Sequence, residues 1–147
     1  MSSTAESLGI TALSHVTLVV PDQAEAVDWY TETLGFEVRA DDAFETPDGR
    51  SGRWVTLGVP GQAGVEVAVV APDPDRYDPE MVETYESWIG GLPPLVLATA
   101  DCRATVAELA SRGVTVTEEP VDLPWGVSAM VADPWGNEFN VMQAFRA

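Results

Sequence analysis

Few residues in this chain could begin a reaction. It contains one histidine, His15, one cysteine, Cys102, and no lysine; all seven basic residues are arginine. An imidazole beside a carboxylate can work as a base with its orienting partner, or the two can share a metal ion. A single histidine rules out sites that need two, such as the 2-His-1-carboxylate set of non-haem iron. Cys102 opens a helical pattern, where a thiol's pKa can fall, but no second histidine is there to activate it. It reads as inert, and being alone it forms no internal disulfide. Trp54 and Trp125 offer flat faces suited to planar or cationic ligands.

The elements that would position these residues come in two similar sets, about 79 residues apart. Residues 13–20 alternate, with Leu13, His15, Thr17 and Val19 on one face and Ser14, Val16, Leu18 and Val20 on the other. That is a strand with one aliphatic side. Asp22 reads as an N-cap, Ala26, Val27, Tyr30 and Leu34 recur at helical spacing, and Gly35 supplies the stop. Strands are expected over 36–40, 52–58 and 64–70, the last two separated by Pro60-Gly61. The second set repeats the order: strand 94–99, helix 101–112 with Asp101 matching Asp22, and strand 114–118. Strands 126–132 and 138–143 complete it, joined by the turn Asp133-Pro134-Trp135-Gly136-Asn137. Trp29 and Tyr30 belong to the first helix and read as structural, and Trp135 as a cap on the sheet. Between the sets, prolines 72, 74, 79 and 93 with Gly90-Gly91 bracket a short helix over 80–89. A unit used twice implies copies that bury each other.

Composition narrows the classes further. With 147 residues, 46% of them hydrophobic, the chain is one domain's worth of packed protein. Twenty-four acidic residues against seven basic ones give a net charge of −17, which argues against nucleic acid and anionic membranes as partners. The carboxylates are scattered (Glu25, Asp28, Glu32, Asp73, Asp75, Asp78, Glu83, Glu86), as on a solvated surface adapted to high salt; the other reading is a field that draws cationic ligands. The longest apolar runs are too short to span a bilayer. Residues 1–10 read as a disordered terminus without signal-peptide features, and with the lone cysteine this points to the cytoplasm. Residues 11–147 form a single domain: first module about 11–71, linker 72–92, second module about 93–145.

His15 seven residues before Asp22, Trp29-Tyr30 before Leu34-Gly35-Phe36, and Trp125-Gly126 before Asp133-Pro134-Trp135-Gly136-Asn137 together resemble the vicinal oxygen chelate superfamily. That superfamily takes in glyoxalases, bleomycin resistance proteins and extradiol dioxygenases, and the resemblance runs from Leu13 to Gln143. It implies an α+β fold of two βαβββ modules whose curled sheets make a cup around a small molecule, usually in a homodimer. In metal-dependent members four side chains in the cup hold a divalent ion. Carried onto this chain, those positions are His15, Glu66, Pro94 (Leu95 if the register slips) and Asn140. Strand parity agrees: Glu66 shares a face with Ala68 and Val70, and Asn140 with Glu138 and Met142. The opposite parity is almost wholly aliphatic and suits packing under helices.

Proline and leucine offer no ligand atom, so a full cage cannot be assembled, and a catalytic zinc wants three protein ligands. No cofactor is therefore expected; a divalent ion (Zn, Ni, Mn or Mg) would have only His15 and Glu66, with Glu138 or Asp122 as rescue. Asn137 reads as a marker of the fold. The resemblance then implies a binding protein of the bleomycin-resistance kind, taking a small molecule against Trp54, Trp125, Asn140 and Met142. The alternative is a glyoxalase-like lyase or isomerase using His15 and Glu66 catalytically; an extradiol dioxygenase lacks its second histidine. The acidic surface carries its own expectation: self-repulsion relieved by screening should make the melting temperature climb in molar KCl. A flat or falling response in a thermal melt would dispose of the high-salt reading.

Overall fold

A computed structural model describes residues 7–145, so the part of the expected disordered terminus at residues 1–6 lies outside the described residues. The elements are β1 (His15–Val19), α1 (Gln23–Glu32), β2 (Glu37–Glu45), β3 (Ser51–Gly58), β4 (Glu66–Val70) and α2 (Pro79–Trp88). They continue with β5 (Leu95–Ala98), α3 (Cys102–Ser111), β6 (Thr115–Leu123), β7 (Gly126–Ala132) and β8 (Glu138–Ala144). Both expected N-caps form: Asp22 accepts from the Glu25 amide at 2.8 Å and Asp101 from the Ala104 amide at 3.0 Å. Each satisfies a helix-start N–H that has no partner within its own helix.

Two four-stranded sheets result, ordered β1-β4-β3-β2 and β5-β8-β7-β6. In each, the first and last strands run parallel at one side and the other pairs are antiparallel. The repeat is thus an α+β pair of βαβββ units. Strands β2 and β6 run to Glu45 and Leu123, well past the expected ends at 40 and 118. Both are outer strands, where charged residues such as Asp41, Asp42, Glu118 and Glu119, and even Pro120, are tolerated because one side needs no partner. Hydrophobic alternation therefore understates their length.

The aliphatic parity of both sheets meets in a single core. Leu18, Val55, Leu57 and Val69 of the first sheet share one buried cluster with Val127, Val131, Phe139 and Val141 of the second, with Ala26 and Tyr30 of α1 and Val106 of α3. The smaller, mixed faces consequently point outward from that core, one on each side, and one chain does not close a cup by itself.

Polar bonds lock the two units together at one place. Tyr30 donates its hydroxyl to Asp133 Oδ2 at 2.6 Å, and Asn137 Nδ2 donates to the same oxygen at 2.8 Å. Asp133 Oδ1 accepts the Trp135 and Asn137 amides at 3.0 and 2.8 Å, so the carboxylate is saturated. Asn137 also reaches the Val19 carbonyl at 3.0 Å and accepts from the Gly90 amide at 2.8 Å. The expected turn chemistry is present, and with it a clasp between the repeats; Trp135 packs edge-on against Trp29 beside it.

Removing one donor from a buried carboxylate is costly. Tyr30→Phe should destabilise the fold by about 1.5–3 kcal/mol, read as a shift in urea midpoint. Burial first, and then the neighbouring Asp133 carboxylate, hold the Tyr30 phenol far above the ordinary tyrosine range. The unfolded chain releases that proton near pH 10 and the folded chain does not, so the stability it contributes is complete below about pH 10 and declines above it. The Tyr30→Phe protein should decline less steeply over that range. Equal slopes would remove Tyr30 from the account.

Candidate ligand-binding site

On the outward face of the first sheet, register brings His15 directly opposite Glu66 on the parallel pair β1 and β4. The Nε2 to Oε1 separation is 3.7 Å, an ion-pair distance and too long for a hydrogen bond. The Glu66 oxygen is oriented instead by Thr56, whose hydroxyl donates to Oε1 at 2.7 Å from a fully buried position on β3. His15 has its Nδ1 2.9 Å from the Ser14 hydroxyl, and its ring meets Trp54 edge-on with centroids 5.3 Å apart. Both side chains remain open to solvent, at 36% for His15 and 28% for Glu66. The result is a polar pair beside an indole, on a floor made by Ala68 and Thr56.

The other candidates lie on the second sheet. Asn140 donates Nδ2 to Ser128 Oγ at 2.7 Å and to the Ala129 carbonyl at 2.8 Å, which fixes the amide. Met142 lies next along that face, paired with Ala98 on one side and Ser128 on the other. Trp125 is in the turn between β6 and β7, 60% exposed. Asn140 and Met142 lie on the parity of the second sheet that faces away from the shared core, as His15 and Glu66 do on the first. The structure groups His15, Glu66 and Trp54 in one place and Asn140 and Met142 in another.

The register also refines the carried-over positions. Asn140 stands beside Val96, not Pro94, and Pro94 precedes the first paired residue, Leu95. One step back on the same face as Asn140 is Glu138, exposed and accepting from Thr117 at 3.1 Å. Asp122 is engaged elsewhere, with Arg103 at 3.2 Å.

Among the described residues no group of three or more histidine, cysteine, aspartate or glutamate side chains is placed to hold a metal ion. The resemblance asks for four donors together; here one face of the chain offers an imidazole and a carboxylate, and the other an amide oxygen with Glu138, which Thr117 already engages. That set does not fit the ion. Cys102 is no substitute: it is fully buried, its thiol donates to the Val141 carbonyl, and burial pushes its pKa up. Metal analysis of protein purified without chelator should find sub-stoichiometric Zn, Ni, Mn and Fe, and His15→Ala should leave melting temperatures in added metal unchanged. Stoichiometric metal lost on that substitution would contradict the donor count.

Thr56 went unnoticed in the sequence, although its position was a signal. It is a hydroxyl between Val55 and Leu57 in an apolar strand, on the parity that faces the site, and a buried hydroxyl requires a partner.

A family model described as Glyoxalase/Bleomycin resistance protein/Dioxygenase superfamily matches residues 12–141. The crystal structure of UcmS2 is similar at 37% identity and a TM-score of 0.79, covering 91% of this chain and 98% of that one. TnmS3, an antibiotic binding protein from Streptomyces sp. CB03234, is 33% identical with a TM-score of 0.62, over 91% of this chain and 98% of that one. The uncharacterized protein YurT of Bacillus subtilis (strain 168) is 31% identical over 127 residues, 86% of this chain and 94% of its own.

Proposed function

Because this chain belongs to the glyoxalase/bleomycin resistance protein/dioxygenase superfamily, we propose that it binds a small planar molecule against the His15–Glu66–Trp54 face and sequesters it without a resident metal ion. The observation that carries this reading is the site's make-up: an indole wall edged by imidazole, over a carboxylate oriented by Thr56, with too few donors to grip an ion. Such a site fixes a ligand by stacking and a few directed polar contacts. The similarity to an antibiotic binding protein supports the same class of ligand. The second reading, a glyoxalase-like lyase or isomerase, rests on the 3.7 Å separation of His15 and Glu66, which sets an imidazole and a carboxylate side by side where one ligand can meet both.

The binding unit in this reading is a homodimer. Two outward faces on one chain, each half of a cup, are completed if the Asn140–Met142 face of one copy covers the His15–Glu66 face of the other. Exposed apolar residues support it: Val96 at 62% lies on the second face, with Trp125 and Phe145 at 60% near its end and Leu13 at 69% just before β1. Isolated exposed leucines are ordinary, but apolar side chains gathered around a site mark a contact surface.

Tryptophan fluorescence titrated with a panel of planar aromatics in excess chelator tests the binding. Quenching is expected, and Trp54→Leu should weaken it about tenfold or more, the loss of a stacking contact of about 1.5 kcal/mol. No quenching across the panel would sink the sequestration reading. Light scattering on a sizing column should give a dimer mass, and Val96→Glu should shift it towards monomer; a wild-type monomer at micromolar concentration would refute the shared cup.

A further inference from the structure

One arginine in this acidic chain has been left without an acid. Five of the six described arginines have a carboxylate within 4 Å: Arg39 with Glu37, Arg50 with Asp48 and Asp78, Arg53 with Asp41, Arg103 with Asp122 and Arg112 with Glu108. Arg76 has none among the described residues, in a chain that carries 24 carboxylates. Its guanidinium carbon lies instead over the Tyr77 ring at 4.8 Å and over the Phe44 ring at 5.3 Å.

That placement is built into the fold. Phe44 and Gly52 are register partners on β2 and β3, and a Cβ on Gly52 would stand 2.6 Å from Phe44 Cζ and 2.8 Å from Arg76 Cδ. The missing side chain at Gly52 is what admits the arginine stem and the phenyl ring together. Tyr77 is held in turn by Tyr85, and Tyr85 by Trp88, at centroid distances of 4.9 and 5.4 Å. Ring faces attract the guanidinium by its charge and accept none of the conventional hydrogen bonds that its N–H donors can make.

Arg76 borders a cavity of about 110 Å³ lined also by Phe44, Gly52, Trp54 and Tyr77, among others. Trp54 is the indole that touches His15, so the cavity continues the outward face of the first sheet. Asp73 also borders it, but its Oδ1 is occupied by the Asp75 amide at 2.9 Å, and neither oxygen lies within ion-pair distance of Arg76. Gln23, at the rim, spends its amide donor on the Arg53 and Val69 carbonyls at 2.9 Å each. Arg76 is therefore the one cation there whose charge is free for a ligand.

We propose that Arg76, held between Phe44 and Tyr77, is the anion-binding corner of the site and takes the carboxylate of a planar aromatic acid whose ring system lies against Trp54. This deepens the sequestration reading and rests on it. A preorganised guanidinium adds a charge-assisted contact without the cost of ordering a mobile side chain. The net negative charge of the chain repels an acid at long range, so the acid is selected only at short range, at this corner.

The test is an NMR titration of ¹⁵N-labelled full-length protein with 2-naphthoate and with the neutral 2-naphthylmethanol. The acid should bind about tenfold more tightly than the alcohol, the effect of one charge-assisted hydrogen bond, and should move the Trp54 indole N–H and Arg76 Nε–H signals. Arg76→Gln should bring the acid down to the alcohol's affinity and leave the alcohol unchanged. Gly52→Ala, which pushes Phe44 and the arginine off their seat, should do the same, and Arg103→Gln on the outer surface should alter neither. Equal affinities in the wild type, or an acid preference that survives Arg76→Gln, overturn the proposal. Binding of the alcohol alone overturns it too but leaves the sequestration reading standing; binding of neither ligand sinks both.

Discussion

The Asp133 carboxylate, clasped between Tyr30 and Asn137, is the constraint on which the rest of the molecule depends. Each repeat alone has one helix on one curled sheet, and that leaves aliphatic surface uncovered. Burying both surfaces in a shared core solves this, but apolar packing does not by itself fix how two similar halves are oriented. The clasp supplies direction. A carboxylate with every lone pair engaged, tied to α1 through a phenol and to the end of β1 through an asparagine, accepts one arrangement only. Once that arrangement is set, the smaller sheet faces must look outward, and the location of any binding site follows.

Outward faces explain why the site is open and why its polar groups stay polar. His15 and Glu66 keep contact with water, so neither pays the full cost of burial, and the carboxylate needs only Thr56 to aim it. A closed cavity inside one chain would have demanded a partner for every donor. An open face makes no such demand.

Much of this was legible in the residues. Helix caps at Asp22 and Asp101, the turn at 133–137 and the two-residue alternation of β1, β4, β5 and β8 each follow from local chemistry, and they fix which face His15 occupies. The ends of β2 and β6 were not legible, because outer strands do not need hydrophobic alternation. Nor was the disposition of the two faces about the core. Alternation says which residues share a side of a sheet, whereas the sense in which two sheets meet is decided by contacts such as Tyr30 to Asp133, 103 residues apart. The offset of Asn140 from Pro94 was hidden for a related reason: spacing along a chain does not report register between parallel strands. Arg76 was invisible because the feature that distinguishes it is a missing neighbour.

The two halves are no longer equivalent. The clasping turn belongs to the second, while imidazole, carboxylate and buried hydroxyl sit on the first; at the places matched by register the second offers Val96 and the Asn140 amide. The joint draws on Tyr30 and Val19 from the first half, but on none of the side chains that share a face with His15. Drift in ligand preference can then proceed on the first sheet, through residues such as those at 54, 56 and 66, without loosening the joint that keeps the molecule in one piece.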